Sequence, residues 1–148
     1  MTSMKIVSMI AAVTFMIPAV SRSNEIAKKV YQDAYPGDIA LSVDVNGVSE
    51  FRAVSNMHPI YVYDGDFPAQ SNCNEGCIGP WSPVLATYQS TKAVGYWTQI
   101  IRSEGRIQWA YKGHPIYTFY NDSTDKANGD NADGGKWHVF SSTILPTH

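Results

Sequence analysis

The chain has 148 residues, a formal net charge of −2, 44% hydrophobic residues and two cysteines. Weak acidity with no basic cluster excludes nucleic acid as a natural partner, and no basic amphipathic stretch suits a membrane surface. The length fits one domain with a real core.

Lys5 precedes an apolar run from Ile6 to Val20, interrupted only by Ser8, Thr14 and Pro18, and Ala19-Val20-Ser21 supplies a small-residue site. This pattern predicts a secretory signal peptide over residues 1–21. The run is too short and too proline-broken for a membrane span, so no integral membrane protein is expected after cleavage. Removal leaves about 127 residues and takes one lysine with it, moving the charge to −3. The expected compartment is periplasmic or secreted. Both cysteines lie in the mature part, where export favours their oxidation. No cysteine stands at the boundary to accept a lipid.

Residues 22–38 form an N-terminal segment in which Asn24–Ala34 suits a short helix, with Ile26, Ala27, Val30, Tyr31 and Ala34 at helical spacing and Pro36-Gly37 as the stop. Residues 39–148 read as a single β domain. Leu41, Val43 and Val45 alternate with polar residues and lead into Asn46-Gly47, a strong hairpin signal. Strands are predicted at Phe51–Ser55, Tyr96–Arg102, Arg106–Tyr111 and His114–Tyr120, the last three as a meander turned at Glu104-Gly105 and Lys112-Gly113.

One stretch occurs twice. His58-Pro59-Ile60-Tyr61 returns as His114-Pro115-Ile116-Tyr117, 56 positions later, followed by an aromatic (Tyr63, Phe119) and an aspartate (Asp66, Asp122). The same offset lays Trp81 on Trp137, Phe51–Ser55 on Ile107–Tyr111 and Asn56-Met57 on Lys112-Gly113. A duplicated unit is expected, with copies at about 47–84 and 103–140. Single meanders are marginally stable, so two would share one core. The predicted fold is all-β: two pseudo-symmetric antiparallel β-meander repeats packed as a small sandwich or barrel-like domain. Within the motif, alternation puts Tyr61 and Tyr63, and likewise Tyr117 and Phe119, on one face, expected to be the core face. The motif residues are accordingly read as mostly structural.

The loops between aspartate and tryptophan hold fourteen residues in each copy but differ in content. Cys73 and Cys77 of the first correspond to Gly129 and Asp133 of the second. A Cys73–Cys77 disulfide is the expected state of an exported pair. The competing reading is a reduced, metal-binding or redox pair, with His58, His114 and His138 available for zinc and Met57 for copper. The second loop gathers Asp125, Asp130 and Asp133, candidate calcium ligands with Asn128 and Asn131. It lacks the spacing and terminal glutamate of an EF-hand, so a solvated turn cluster is expected. No cofactor is predicted, with copper, zinc and calcium the options weighed. Asp66 and Asp122 could in principle divide acid and base roles; capping of the following loop is the commoner use of such carboxylates. Trp81, Trp137 and His138 are the candidate ligand-binding residues nearest these loops. No nucleophile elbow, zinc helix or phosphate loop is present.

The motif Tyr-x-(Phe/Trp/Tyr)-x-x-Asp, met at Tyr61–Asp66 and Tyr117–Asp122, combines with Cys73-x-x-Gly76-Cys77-x-x-x-Trp81 and Gly105-Arg-Ile-Gln108-Trp109-x-Tyr111-x-Gly113. With Gly129, Gly134 and Trp137-His138-Val139, these resemble a secreted repeat family of unknown function that includes predicted lipoproteins. The resemblance covers roughly residues 40–140. It implies an exported bacterial protein and brings no established catalytic residues. Two departures stand out: the missing lipobox cysteine, and Trp81-Ser82-Pro83 where the family has Trp-Pro. The expected function is a non-enzymatic exported β-domain that binds a small ligand or an envelope protein. The alternative is a metal-binding or thiol-redox accessory protein using the Cys73/Cys77 loop.

Overall fold

The computed structural model describes residues 34–43, 49–90 and 92–140. The predicted signal peptide, all but the last residue of the Asn24–Ala34 helix and the Asn46-Gly47 turn lie outside them. The described strands are β1 (Ile39–Val43), β2 (Ser49–Ala53), β3 (Tyr61–Tyr63), β4 (Trp81–Pro83), β5 (Trp97–Ile101), β6 (Ile107–Tyr111), β7 (His114–Pro115), β8 (Tyr117–Phe119) and β9 (Trp137–Val139), with one helical turn, α1 (Ala132–Gly135). They make three antiparallel sheets: β1-β2, then β4-β8-β3-β9 in that order, then β5-β6-β7, with no closed barrel among the described residues. The chain is all-β.

The two halves of the central sheet use matching registers. Strand β3 meets β8 with Tyr61 opposite Tyr117. On one side Trp137 pairs with Tyr63 and Val139 with Tyr61; on the other Trp81 pairs with Phe119 and Pro83 with Tyr117. A shift of 56 carries Trp81 to Trp137 and Tyr63 to Phe119. The outer hairpins follow a different offset. Ile39↔Ala53 and Val43↔Ser49 in β1-β2 become Trp97↔Tyr111 and Ile101↔Ile107 in β5-β6 when each number rises by 58.

The missing two residues sit in the turn before the motif. The Ala53 N–H donates to His58 O at 3.1 Å, enclosing residues 54–57, whereas Tyr111 pairs directly with His114 across Lys112-Gly113. By register Ala53, not Ser55, pairs in its hairpin as Tyr111 does in the other, two positions away from the sequence alignment of Phe51–Ser55 with Ile107–Tyr111. Chain geometry explains the change. The two-residue turn takes positive φ at both Lys112 (48°) and Gly113 (86°), while in the longer turn only Met57 does (58°).

The expected meander strand His114–Tyr120 is also corrected, because the chain changes sheets at Ile116. The Ile116 N–H still donates to Trp109 O at 3.1 Å, but its carbonyl accepts from the Val84 N–H at 3.0 Å. This crossing buries both faces of the motif. Ile60, Val62 and Ile116 pack with Trp97, Trp109 and Phe140. Tyr61 and Tyr117 pack on the other side with Trp81, Trp137 and Cys73. The aromatic face is thus one of two buried faces, and Tyr63 at its end is only partly covered. Of the alternating residues in β1, Ile39 is 2% exposed whereas Leu41 is 43% exposed.

The second core is an aromatic stack. Trp81 and Trp137 lie face to face, 3.6 Å between centroids and 3° from parallel. Phe119 lies 4.6 Å from Trp81, and Tyr63 stacks on Trp137 at 4.5 Å. Tyr61 and Tyr117 stand edge-on to Trp81 and Trp137. Gly129 lies against this stack: a Cβ there would be 2.6 Å from Trp81 Cη2 and 3.0 Å from Phe119 Cγ. The buried Trp81 ring and the partly buried Phe119 packed on it leave no room for the methyl group, so Gly129→Ala is expected to destabilise by about 1–3 kcal/mol as overpacking. A lowered urea midpoint at unchanged slope checks it; an unaltered midpoint contradicts the packing.

Candidate functional site

Each motif aspartate clamps the loop that follows it. Asp66 Oδ1 accepts from the Asn72 N–H at 2.7 Å, and the Asn72 side-chain amide donates to Gly65 O at 2.7 Å. Asp122 Oδ1 accepts from the Asn128 N–H at 2.7 Å, and the Asn128 amide donates to Asn121 O. Carboxylates tied to backbone amides in separate loops serve as caps, an arrangement unlike a shared acid–base pair.

The second oxygens are treated differently. Asp66 Oδ2 accepts from the Tyr117 hydroxyl at 2.8 Å. That hydroxyl sits 2.7 Å from Ser71 Oγ, which in turn accepts from Arg102 Nη1 at 2.8 Å. Donation runs in one direction, from guanidinium to serine to tyrosine to carboxylate. Asp122 Oδ2 makes no hydrogen bond of good geometry among the described residues, although the Tyr61 hydroxyl lies close enough to interact with this carboxylate. Burial, and then the Asp122 carboxylate, push the Tyr61 hydroxyl above its ordinary range.

Burial pushes the Asp66 carboxyl up to about 6, against the Asn72 and Tyr117 hydrogen bonds and the Arg102 charge. The folded value lies above the ordinary 3.8, so between about 4 and 6 the folded state binds the extra proton. Stability is therefore expected to fall as pH rises through that window and to level off above it. Asp66→Asn keeps the Asn72 contact but has no proton to lose, so its stability should lack this component. Urea midpoints of the two proteins across pH 4–7 check the sign; parallel curves contradict it.

Arg102 is the hub of the first loop. It is 3% exposed. Nη1 also donates to Gln108 Oε1 at 2.7 Å, Nη2 to Cys73 O at 2.8 Å and to Asn74 Oδ1 at 3.3 Å, and Nε to Glu104 Oε1. Gln108, 0% exposed, passes the contact on to Ile116 O at 2.8 Å. Arg102 did not stand out in the sequence, because an arginine at a hairpin end reads as solvated. Gln108 was visible only within the Gly105–Gly113 motif and as a polar residue on an otherwise apolar β6.

Cys73 and Cys77 are joined as a disulfide, and no free cysteine occurs among the described residues. Cys73 is 0% exposed and packs in the aromatic core, while Cys77 is partly exposed. Bonded in this way, the pair offers no thiolates to zinc or copper. The loop and the hairpin after β5 border a groove of about 340 Å³, lined by Asn74, Glu75 and Ile78 on one wall and Ser103, Glu104 and Arg106 on the other. Hydrogen bonds from Arg102, and more weakly Arg106, draw the Glu104 carboxyl down to about 2.

The second loop is closed by other means. Asp130 Oδ1 accepts from the Val139 N–H at 3.0 Å, and the Asn131 N–H donates to Trp137 O at 2.8 Å, with Asn131 at φ 60°. In the first half Val139 is replaced by Pro83, which has no N–H to cap. The first loop carries the Cys73–Cys77 disulfide where the second has this cap. The candidate calcium ligands have separate partners. Asp125 accepts from Ser123 and Asp133 pairs with Lys136, apart from the Asp130 contact. Among the described residues no group of three or more metal-ligating side chains comes together. His138 Nε2 lies 2.9 Å from Asp64 Oδ2, and His58 Nδ1 lies 3.1 Å from Phe119 O. Trp81 and Trp137 face each other, 5% and 2% exposed, and not a groove.

An all-β scaffold carrying two unlike loops is the class of protein that the fold and these contacts define. Residues 98–141, which span most of β5 through β9, match the model of a family described as a secreted repeat of unknown function. This is the family the sequence motifs resembled. No curated protein and no solved structure matches the chain. Secretion accords with the periplasmic or exported location, and no described helix is long and apolar enough to cross a membrane.

Proposed function

We propose that the protein is an exported, non-enzymatic β-domain that binds a small polar ligand, or a polar segment of an envelope protein, beside its disulfide loop. The groove between Asn74–Ile78 and Ser103–Arg106 carries this reading. Its volume of about 340 Å³ suits a small molecule. Its walls offer Glu75 and Glu104 on one hand and the half-exposed Arg106 on the other, with amide and hydroxyl groups between. A ligand carrying both signs of charge matches that lining better than an apolar one.

We also infer that the two halves are copies of one unit, which turns each into a control for the other. Features present in both, the stacked tryptophans and the aspartate clamps, suffice for a scaffold. Among the described residues the Arg102 network and this groove lie between the first loop and the Arg102–Arg106 hairpin, and ligand recognition is assigned there. The test uses a zwitterionic dipeptide such as alanylalanine as probe, followed by isothermal titration. Arg106→Glu should weaken binding about tenfold or more, as loss of a charged hydrogen-bonding partner does. Equal binding by both proteins, or none by either, removes the groove as the site. The metal-binding form of the alternative would need the cysteines reduced; its thiol-redox form draws on the disulfide itself.

A further inference from the structure

We infer that the Cys73–Cys77 disulfide is a thiol–disulfide exchange site, attacked at Cys77 and left by Cys73, whose partner is an external thiol of the exported compartment. Three observations converge on it. First, the loop of the second half has the same length and no crosslink, with Gly129 and Asp133 at the cysteine positions. A loop of this size therefore closes without a crosslink, through the Asp122 clamp, the Asp130 contact to the Val139 N–H and backbone bonds. A ring spanning only four residues also adds little chain-entropy stabilisation compared with a long one.

Second, the two sulfurs are unequal. Cys77 is partly exposed on the segment that borders the groove, whereas Cys73 is 0% exposed against the aromatic core. Cys77 is the more accessible of the two to an incoming thiolate. Third, the buried Arg102 guanidinium donates to the Cys73 carbonyl at 2.8 Å. The guanidinium anchors the Cys73 backbone, so a thiolate released on Cys73 forms on a residue held by a positive charge, against the cost of its burial in the aromatic core.

The chemistry balances with thiols alone. A thiolate attacks Cys77 Sγ, the Cys73–Cys77 bond breaks, and its electron pair stays on Cys73. A second thiolate then attacks the incoming sulfur of the mixed disulfide. This frees Cys77 and leaves the two external thiols oxidised to a disulfide while the protein pair is reduced. The inference stands without any ligand in the groove, because the exchange assay contains none.

The purified protein is incubated with reduced glutathione or, separately, with a dithiol protein of the Cys-x-x-Cys type, then quenched by alkylation and read by peptide mass. Opening of the native pair, with mixed disulfide found on Cys77, is the expected result, and the faster reductant identifies which thiol class is the partner. In the single variants, Cys73→Ser should react with oxidised glutathione about tenfold or more faster than Cys77→Ser, since the former leaves the more accessible thiol. The double Cys73→Ser/Cys77→Ser variant should keep its far-ultraviolet dichroism and cooperative unfolding. A pair that opens only after denaturation, equal rates in the single variants, or loss of fold in the double variant each mark a structural staple and overturn the proposal.

Discussion

Arg102→Met should lower stability by about 3–5 kcal/mol, the loss seen when one member of a buried charged network is removed. The guanidinium is fully enclosed and donates to Ser71, Gln108, Cys73 and Asn74 as well as Glu104. Methionine fills much of the volume but donates nothing. The Gln108 and Cys73 oxygens would then lie in a dry interior without a donor, each a penalty of about 1–3 kcal/mol before relaxation. Glu104 would lose least, because it can turn to water. Arg102→Lys should recover only a small part, since a single ammonium cannot span acceptors arranged around a planar fork. Against a total of about 5–15 kcal/mol for a domain, the loss leaves a protein near its unfolding threshold at 37 °C. Urea unfolding followed by tryptophan fluorescence measures it. A loss below about 1 kcal/mol would mean that the network contributes no more than a surface ion pair.

Trp137→Ala should be comparably severe, at about 3–5 kcal/mol. The ring is 2% exposed and contacts Trp81, Tyr63 and Tyr117. Its removal leaves a void across the centre of the sheet formed by β3, β8, β4 and β9. Trp81→Ala, at the matching position, should fall in the same range. The double variant should lose less than the sum, because each single substitution already abolishes the shared stack. Guanidinium unfolding followed by circular dichroism decides this without relying on the deleted fluorophore. Strict additivity would show that the two rings do not support each other.

Much of the scaffold was legible in the residues. The HPIY pair, the tryptophans 56 apart and the alternation around them suffice for an all-β chain, since each rests on local periodicity. What escaped was three-dimensional. The change of sheet at Ile116 leaves no trace in the pattern, because a strand buried on both faces and a strand that crosses between sheets are both continuous apolar runs. The two-residue difference before the motif was masked by the identity of the motif itself. The sheet partners across Lys112-Gly113 reveal it through their register.

The site was legible only in part. The disulfide follows from compartment and spacing, and the unlike loops were visible as Cys73/Gly129 and Cys77/Asp133. Arg102 and Gln108 were not, because their importance comes from burial that a hairpin between charged residues does not suggest. The tryptophans are placed by their packing. Named as candidates for ligand contact because they flank the loops, they lie face to face in the core. The groove draws its lining from residues of ordinary surface type, which carry no signal until the Cys73–Cys77 loop and the Arg102–Arg106 hairpin are brought side by side.

The first loop is proposed to recognise a ligand while its counterpart closes the sheet. Amide chemical-shift mapping during titration with a zwitterionic dipeptide tests this most directly, because both loops report in one spectrum. The expected shifts cluster at Asn74–Ile78 and Ser103–Arg106, with Asp130–Gly134 unmoved. Equal shifts in both loops, or shifts confined to residues outside them, would contradict the claim.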